Sequence, residues 1–186
     1  MIYPITVYGD PLLRQTAKPI NKDYPELAKL IEDMFETMYF SDGVGLAAPQ
    51  IGLSIRIFVI DATTYADEEP ELANFKKAFI NPEIIERTGD EWALNEGCLS
   101  LPEIREDIPR PEMVRIKYLD ENFTEHDETY SGFAARVIQH EYDHLDGILF
   151  IDLLNPLKRR LLKSKLTAIS KGKISTKYRQ KLPGKK

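Results

Sequence analysis

Two of the three histidines in this chain stand four residues apart, in His140-Glu141-Tyr142-Asp143-His144. An α-helix puts positions i and i+4 on one face, so the stretch calls for a helix with two imidazoles side by side. The pattern H-E-x-x-H makes that face a candidate metal site, with Glu141 placed to take a proton from a water at the ion. The plainer alternative is a pair of surface histidines on a polar helix. The scarcity of histidine elsewhere weighs against it, and a helix that must present two ligands to one ion needs a second segment packed against that face.

A catalytic site of this type has three protein ligands and an open position. No Glu follows Glu141, and Phe150 stands where the longer signature H-E-x-x-H-x-x-G-x-x-H carries its third histidine. Only Asp146 and Asp152 remain as acidic groups further on, so the third ligand is sought upstream, at His126 or Cys98. His126 lies in the polar, alternating run Phe123-Thr124-Glu125-His126-Asp127, which reads as an exposed strand and a solvated imidazole. Cys98 is the only cysteine and cannot form an intrachain disulfide. It is either a small buried apolar residue or a thiolate, and a metal site short of one ligand favours the thiolate.

Three segments now stand out: Gly43-Val44-Gly45-Leu46-Ala47-Ala48-Pro49-Gln50-Ile51-Gly52, Glu96-Gly97-Cys98-Leu99-Ser100 and Gln139-His140-Glu141-Tyr142-Asp143-His144-Leu145. In sequence, order and separation they resemble the three signature motifs of peptide deformylases, and the resemblance covers nearly the whole chain. It implies a metal-dependent hydrolase that removes formate from the N-terminal formyl-methionine of newly made polypeptides. It implies Cys98, His140 and His144 as ligands of one divalent ion. Fe²⁺ would be the native metal, although one thiolate and two imidazoles also accept Zn²⁺, Ni²⁺ or Co²⁺. Glu141 would be general base and then general acid to the leaving amine. The side-chain amide of Gln50 and the backbone N–H of Leu99 would donate to the oxyanion. The methionine pocket would fall on Val44, Glu96 and Val137, with Arg105 near its mouth and the peptide adding as an extended strand beside Val44-Gly45. Independently of the resemblance, Gly43 and Gly45 lack a Cβ and let the backbone approach a ligand closely. Arg136 occupies a position where relatives often carry an apolar residue, and is read as pointing to solvent or touching the substrate beyond methionine.

A length of 186 residues fits one domain with a substantial core. No run of eighteen apolar residues and no signal-peptide pattern at Met1-Ile2-Tyr3-Pro4 appears, so neither a membrane span nor secretion is expected. A lone free cysteine agrees with a reducing, cytoplasmic setting. The net charge of −5 is unevenly spread: Pro156 to Lys186 carries twelve Lys or Arg and no acid. The rest of the chain is strongly acidic and repels nucleic acid, which excludes a specific DNA-binding role for the body. The basic segment suits docking on ribosomal RNA. Residues 1–170 are expected to form the catalytic domain and 171–186 a basic tail whose order the sequence leaves open. Removing that tail is expected to spare activity on a short formyl-peptide.

Periodicity predicts an amphipathic helix over Pro25–Phe40, capped by Asp23 or Asn21, with Leu27, Leu30, Ile31, Met34, Phe35 and Met38 inward. It predicts strands at Leu53–Asp61, Ala78–Ile85, Val114–Leu119 and Phe123–Tyr130, the last two joined by a turn at Asp120-Glu121-Asn122. The metal-bearing helix is expected to start at a Ser131 cap and reach about Gly147. A basic helix is expected at Pro156–Ser170. The class is α+β, with small antiparallel sheets around a central helix, an N-terminal helix and a C-terminal basic helix. Two rivals remain. A peptidase cutting internal amides would need a downstream ligand. A structural metal domain would need a fourth, for which His126 is available.

Overall fold

The computed structural model describes residues 1–184; the last two residues of the basic tail lie outside that range. The chain forms β1 (Ile5–Thr6), α1 (Leu27–Phe40), β2 (Gly45–Ala47), β3 (Ile57–Asp61), β4 (Lys76–Cys98), β5 (Leu101–Leu119), β6 (Glu125–Ser131), α2 (Gly132–Leu145), α3 (Pro156–Ser170) and β7 (Gln180–Lys181). Five strands make one antiparallel sheet in the order β2-β3-β4-β5-β6, while β1 and β7 pair in parallel. The class is α+β, as expected. The antiparallel strands are gathered into one sheet, and the small second sheet is parallel.

The centre of the sheet explains the layering. Ile57, Phe58, Val59 and Ile60 of β3 are all fully buried, so this strand has a core on both faces. Side chains alternate across a strand: Ile57 and Val59 pack with Leu30, Met34 and Met38 of α1, whereas Phe58 and Ile60 pack with Ala135, Ile138 and Leu145 of α2. α2 is thus enclosed by sheet on one side and by the site on the other. A third cluster joins Leu101, Ile104 and Ile108 at the start of β5 to Phe150, Leu166 and Ile169. It holds α3 to the body while Leu157 and Leu161 stay exposed at 68% and 75%.

Three local expectations change. α1 begins at Leu27, after Glu26 in a left-handed conformation (φ 51°), and no side chain caps it. Ser131 occupies the cap position of α2 but makes no capping bond; both carboxylate oxygens of Glu69 accept from the Phe133 N–H at 3.2 Å. Gly132 permits this, because its φ is +58° and a Cβ there would fall 2.8 Å from Glu69. The largest change is in the hairpin. The short strands expected at Ala78–Ile85 and Val114–Leu119 are the inner ends of a continuous β4–β5 ribbon, paired with three register shifts between Ile80 and Glu91 and a fourth at Gly97/Cys98. Its middle is solvated, with Glu86 to Glu91 all exposed, so no apolar alternation marks it.

The basic segment does not leave the body after α3. It turns back, and the Ile5 and Val7 N–H groups donate to the carbonyls of Arg179 (2.8 Å) and Lys181 (3.2 Å). Gln180 donates to the Ile174 carbonyl (2.8 Å) and the Thr176 hydroxyl (3.0 Å), tying residues 174–180 into a closed loop. α3 ends at Ser170, and residues 171–184 run back along the body exposed or partly buried.

Candidate metal centre and active cleft

β4 ends at Cys98, beside α2. Residues 99–100 form the tight turn of the ribbon, and Cys98 pairs with Leu101 across it. This projects the Cys98 thiol onto the α2 face that carries His140 and His144. The Cys98 Sγ lies 3.3 Å from His144 Nε2, and the two imidazole rings are 5.2 Å apart at 77°. One donor atom from each of the three residues falls within a 4.8 Å cluster. A thiolate and two imidazoles at this separation form a donor set suited to one divalent transition metal, and they leave room for a non-protein ligand. His126 is elsewhere: it pairs with Asp120 at 2.9 Å and stacks on Tyr118, so it supplies no fourth ligand.

Charge is arranged in layers around the donors. His140 Nδ1 contacts Glu96 Oε2 at 2.9 Å, which leaves Nε2 for an ion and fixes the ring. Glu96 in turn accepts from Arg110 through both carboxylate oxygens (2.7 and 3.1 Å) and from Arg136 (2.9 Å). Arg110 also donates to Asp143 at 2.7 Å. Burial alone would raise Glu96, but the bonds from His140 and Arg110 outweigh it and hold the carboxyl far below the usual range. Burial favours neutral His140 too, yet its bonds to Cys98 and Glu96 raise it. His144 lacks a carboxylate partner, and burial together with the charge of His140 lowers it. Of the two readings of Arg136, the solvent-facing one is overturned. The residue is 3% exposed, donates to the Ile108 carbonyl at 2.7 Å, lies over Trp92 and lines the cleft.

Glu141 is buried, and its Oε2 has no hydrogen-bond partner among the described residues. Desolvation pushes its carboxyl up to about 7. Its stem lies on β2: a Cβ at Gly45 would fall 2.8 Å from both Cγ and Cδ of Glu141. Gly45 therefore makes room for Glu141 itself. Gly43 similarly faces the Leu99 side chain, 3.1 Å from where its Cβ would be. The glycines expected to let the backbone approach a ligand also make room for two side chains of the site. Gln50 is 2% exposed; its carbonyl accepts from the Ala47 N–H at 2.9 Å, which aims the amide at Cys98 Sγ (3.5 Å) and Ser100 Oγ (3.3 Å).

These groups face a cleft of about 560 Å³, a volume suited to a small ligand or a few residues of peptide. Gly43, Val44, Gly45, Glu96, Arg105 and Val137 all line it, as do Gln50, Leu99 and Glu141. Val137 is buried, and Arg105 is exposed at the rim, bonded to Asn95. Sequence reasoning misses Arg110, Asp143 and Glu69. Asp143 sits inside the motif and could be questioned as a buried acid, whereas Arg110 between two prolines carries no signal. Ser175 to Tyr178, on the returning segment, form a further part of the cleft wall.

A helix carrying two imidazoles, a hairpin thiolate and a desolvated carboxylate on one cleft are the working parts of a metal-dependent hydrolase. The polypeptide deformylase family model matches residues 2–160, and this chain belongs to the peptide deformylase family. A peptide deformylase of Christiangramia forsetii is 57% identical, covering all of this chain and 98% of the relative. One of Cytophaga hutchinsonii is 53% identical over the full length of both. Among solved structures, the peptide deformylase of Thermus thermophilus superposes with a TM-score of 0.81 at 43% identity, over 92% of this chain and 99% of that one. That of Legionella pneumophila gives 0.81 at 40% identity, over 93% and 98%. The chain is accordingly a metal-dependent enzyme that removes the N-terminal formyl group from nascent peptides.

Proposed function

We propose that Cys98, His140 and His144 hold the catalytic ion, that this ion is Fe²⁺ in the cell, and that Glu141 is the general base. The observation that carries the assignment is the three-donor cluster beside a buried carboxylate with an unpartnered oxygen. When bound, a divalent ion activates water at neutral pH and polarises the formyl carbonyl. Glu141 accepts the proton of the attacking water and delivers it to the amine as the C–N bond breaks, giving formate and a free N-terminus. The Gln50 amide and the Leu99 N–H stabilise the negative oxygen of the tetrahedral species. Val44 and Val137 shape the methionine pocket and Arg105 sits at its mouth. Glu96 lines the cleft, but with both oxygens engaged its part is to position His140. The peptide lies extended along Gly43-Val44-Gly45, where β2 is an edge strand of the sheet.

The test is formate release from formyl-Met-Ala-Ser, compared with the unformylated peptide. The formylated substrate alone should react. Activity should vanish with chelator and return with Fe²⁺, and with Zn²⁺, Ni²⁺ or Co²⁺ to different extents. Cleavage of the internal amide would mark a peptidase instead.

The exposed face of α3 supports a second placement, at the ribosome in the cytoplasm. Arg159 and Lys163 are exposed beside Leu157 and Leu161, while Lys158 leans on Glu106 and Lys165 on the Glu103 carbonyl. Among the described residues no helix is long and apolar enough to cross a membrane. Charge reversal by Arg159→Glu with Lys163→Glu should weaken salt-sensitive ribosome pelleting and leave short-peptide turnover unchanged.

A further inference from the structure

The turn that carries Leu99 is held in part from outside the family-matched region, by Tyr178. Three partners hold the two turn residues Leu99 and Ser100, and one of them, Tyr178, binds the Leu99–Ser100 peptide itself. The Tyr178 hydroxyl donates to the Leu99 carbonyl at 2.8 Å, the Tyr8 N–H donates to the Ser100 carbonyl at 2.9 Å, and the Gln50 amide reaches Ser100 Oγ. Tyr178 is half-buried against the cluster that contains Leu99. Its segment is itself anchored: Thr176 donates to the Tyr178 carbonyl at 2.6 Å, Gln180 closes the loop, and β7 locks it to β1. At the rim, Lys177 pairs with Asp42 at 3.1 Å, linking this strap to the loop before β2. The family model ends at residue 160, so this anchor is an addition to the matched scaffold.

A donor for an oxyanion works only if it is aimed before the reaction begins. Fixing the Leu99 carbonyl sets the peptide plane on the C-terminal side of Leu99, and Cys98 anchors the N-terminal side. Between them, the direction of the Leu99 N–H is determined. We infer that Tyr178 is a positioning residue: through the Leu99 carbonyl its hydroxyl aims the Leu99 N–H at the reacting formyl oxygen. This rests on the assignment of Leu99 as an oxyanion donor. Among the described residues the Tyr178 hydroxyl bonds to the Leu99 carbonyl and to none of the proposed metal ligands, so its effect should fall on turnover and spare ground-state binding and metal content.

The experiment compares steady-state kinetics of formyl-Met-Ala-Ser for wild type and Tyr178→Phe, both with measured metal stoichiometry. Losing an oxyanion donor outright costs on the order of 10²–10³ in rate, so a misaimed one should lower kcat by about 10-fold. KM should stay within about twofold and the metal content should be unchanged. Incorporating 4-aminophenylalanine at position 178, which keeps a donor of similar reach, should restore most of kcat. If Tyr178→Phe is too unstable to assay, Gln180→Ala loosens the same strap and should show the same split, smaller in size. A raised KM with normal kcat, or loss of metal, overturns the inference. So does a fall in thermal stability with unchanged turnover per folded enzyme. An ester in place of the Cys98–Leu99 amide, introduced as the α-hydroxy acid of leucine at position 99, tests the underlying assignment separately. If the ester lowers kcat and Tyr178→Phe does not, Tyr178 is excluded while the Leu99 donor stands. If the ester leaves kcat unchanged, both fall.

Discussion

The cleft has two walls built on different principles. One is made from the ends of β4 and α2 and from β2, and its interior is charged and buried: Glu96, Arg110, Arg136 and Asp143 neutralise one another behind His140. The other is the strap from Ser175 to Tyr178, with Lys177 and Arg179 exposed and a hold on the body through backbone bonds to β1 and one tyrosine hydroxyl. A buried charge cannot lose its partner without a large cost, so the first wall is rigid by necessity. The strap is secured by neutral hydrogen bonds worth roughly 0.5–1.5 kcal/mol each and by one exposed ion pair, Lys177–Asp42, of the kind that contributes little. Chemistry is thus invested in the wall whose geometry cannot relax, and the strap adjusts an arrangement already complete.

The strongest way to break this division is at the first wall. Cys98→Ala should purify with little metal and almost no activity, read by metal analysis and formate release together. Stoichiometric metal with full turnover would place the third ligand elsewhere. Glu141→Ala should keep its metal and lose about 10²–10⁴ in kcat, the usual range for a general base. Next in size is Arg110→Met. Removing the cation leaves Glu96 and Asp143 buried without it, which should cost about 3–5 kcal/mol of stability. Urea unfolding of the metal-loaded protein checks this, and a change below about 1 kcal/mol would show that the buried network is not what stiffens this wall.

The same division separates what the sequence discloses from what it conceals. The imidazoles, Cys98 and Glu141 are legible because catalytic metal chemistry admits few residue types at few spacings. α3 is legible from end to end because Asn155 caps it through the Lys158 N–H and Pro156 opens it. The middle of the β4–β5 ribbon is not, since strands with both faces in water need no alternation. Arg110 is silent because its partners, Glu96 and Asp143, lie 14 and 33 residues away in the chain. The glycines of the first motif are legible as necessary, though the Glu141 and Leu99 side chains that crowd them are not. The strap reads in sequence as a basic tail of open order, because parallel pairing of two-residue strands leaves almost no pattern.

Truncation after Ser170 sharpens the contrast at the second wall. Sequence alone suggests little effect on a short substrate. With Tyr178 on the Leu99 carbonyl and four strap residues lining the cleft, the truncated enzyme should retain its metal but turn over formyl-Met-Ala-Ser about 10-fold more slowly, with a lower melting temperature. Unchanged kinetics would make the strap a covering with no part in the site.

The smallest expected effect is a single proton. Desolvation raises Glu141 from an ordinary 4.5 to about 7 in the protein alone, so near pH 6 this carboxyl is largely protonated there. A divalent ion brought beside it favours the anion and lowers that pKa again. Metal binding near pH 6 should therefore expel a proton from Glu141. Calorimetric titration of the metal-free enzyme in buffers of different ionisation enthalpy measures the number released. Glu141→Gln should release close to one proton fewer than wild type at pH 6. The difference should shrink as the pH rises through 7 and vanish by about pH 8.5, where Glu141 is ionised before the metal arrives. Equal release by the two proteins at pH 6 would mean that Glu141 is already an anion in the metal-free cleft. The first wall would then accommodate one more buried charge than its arginines compensate.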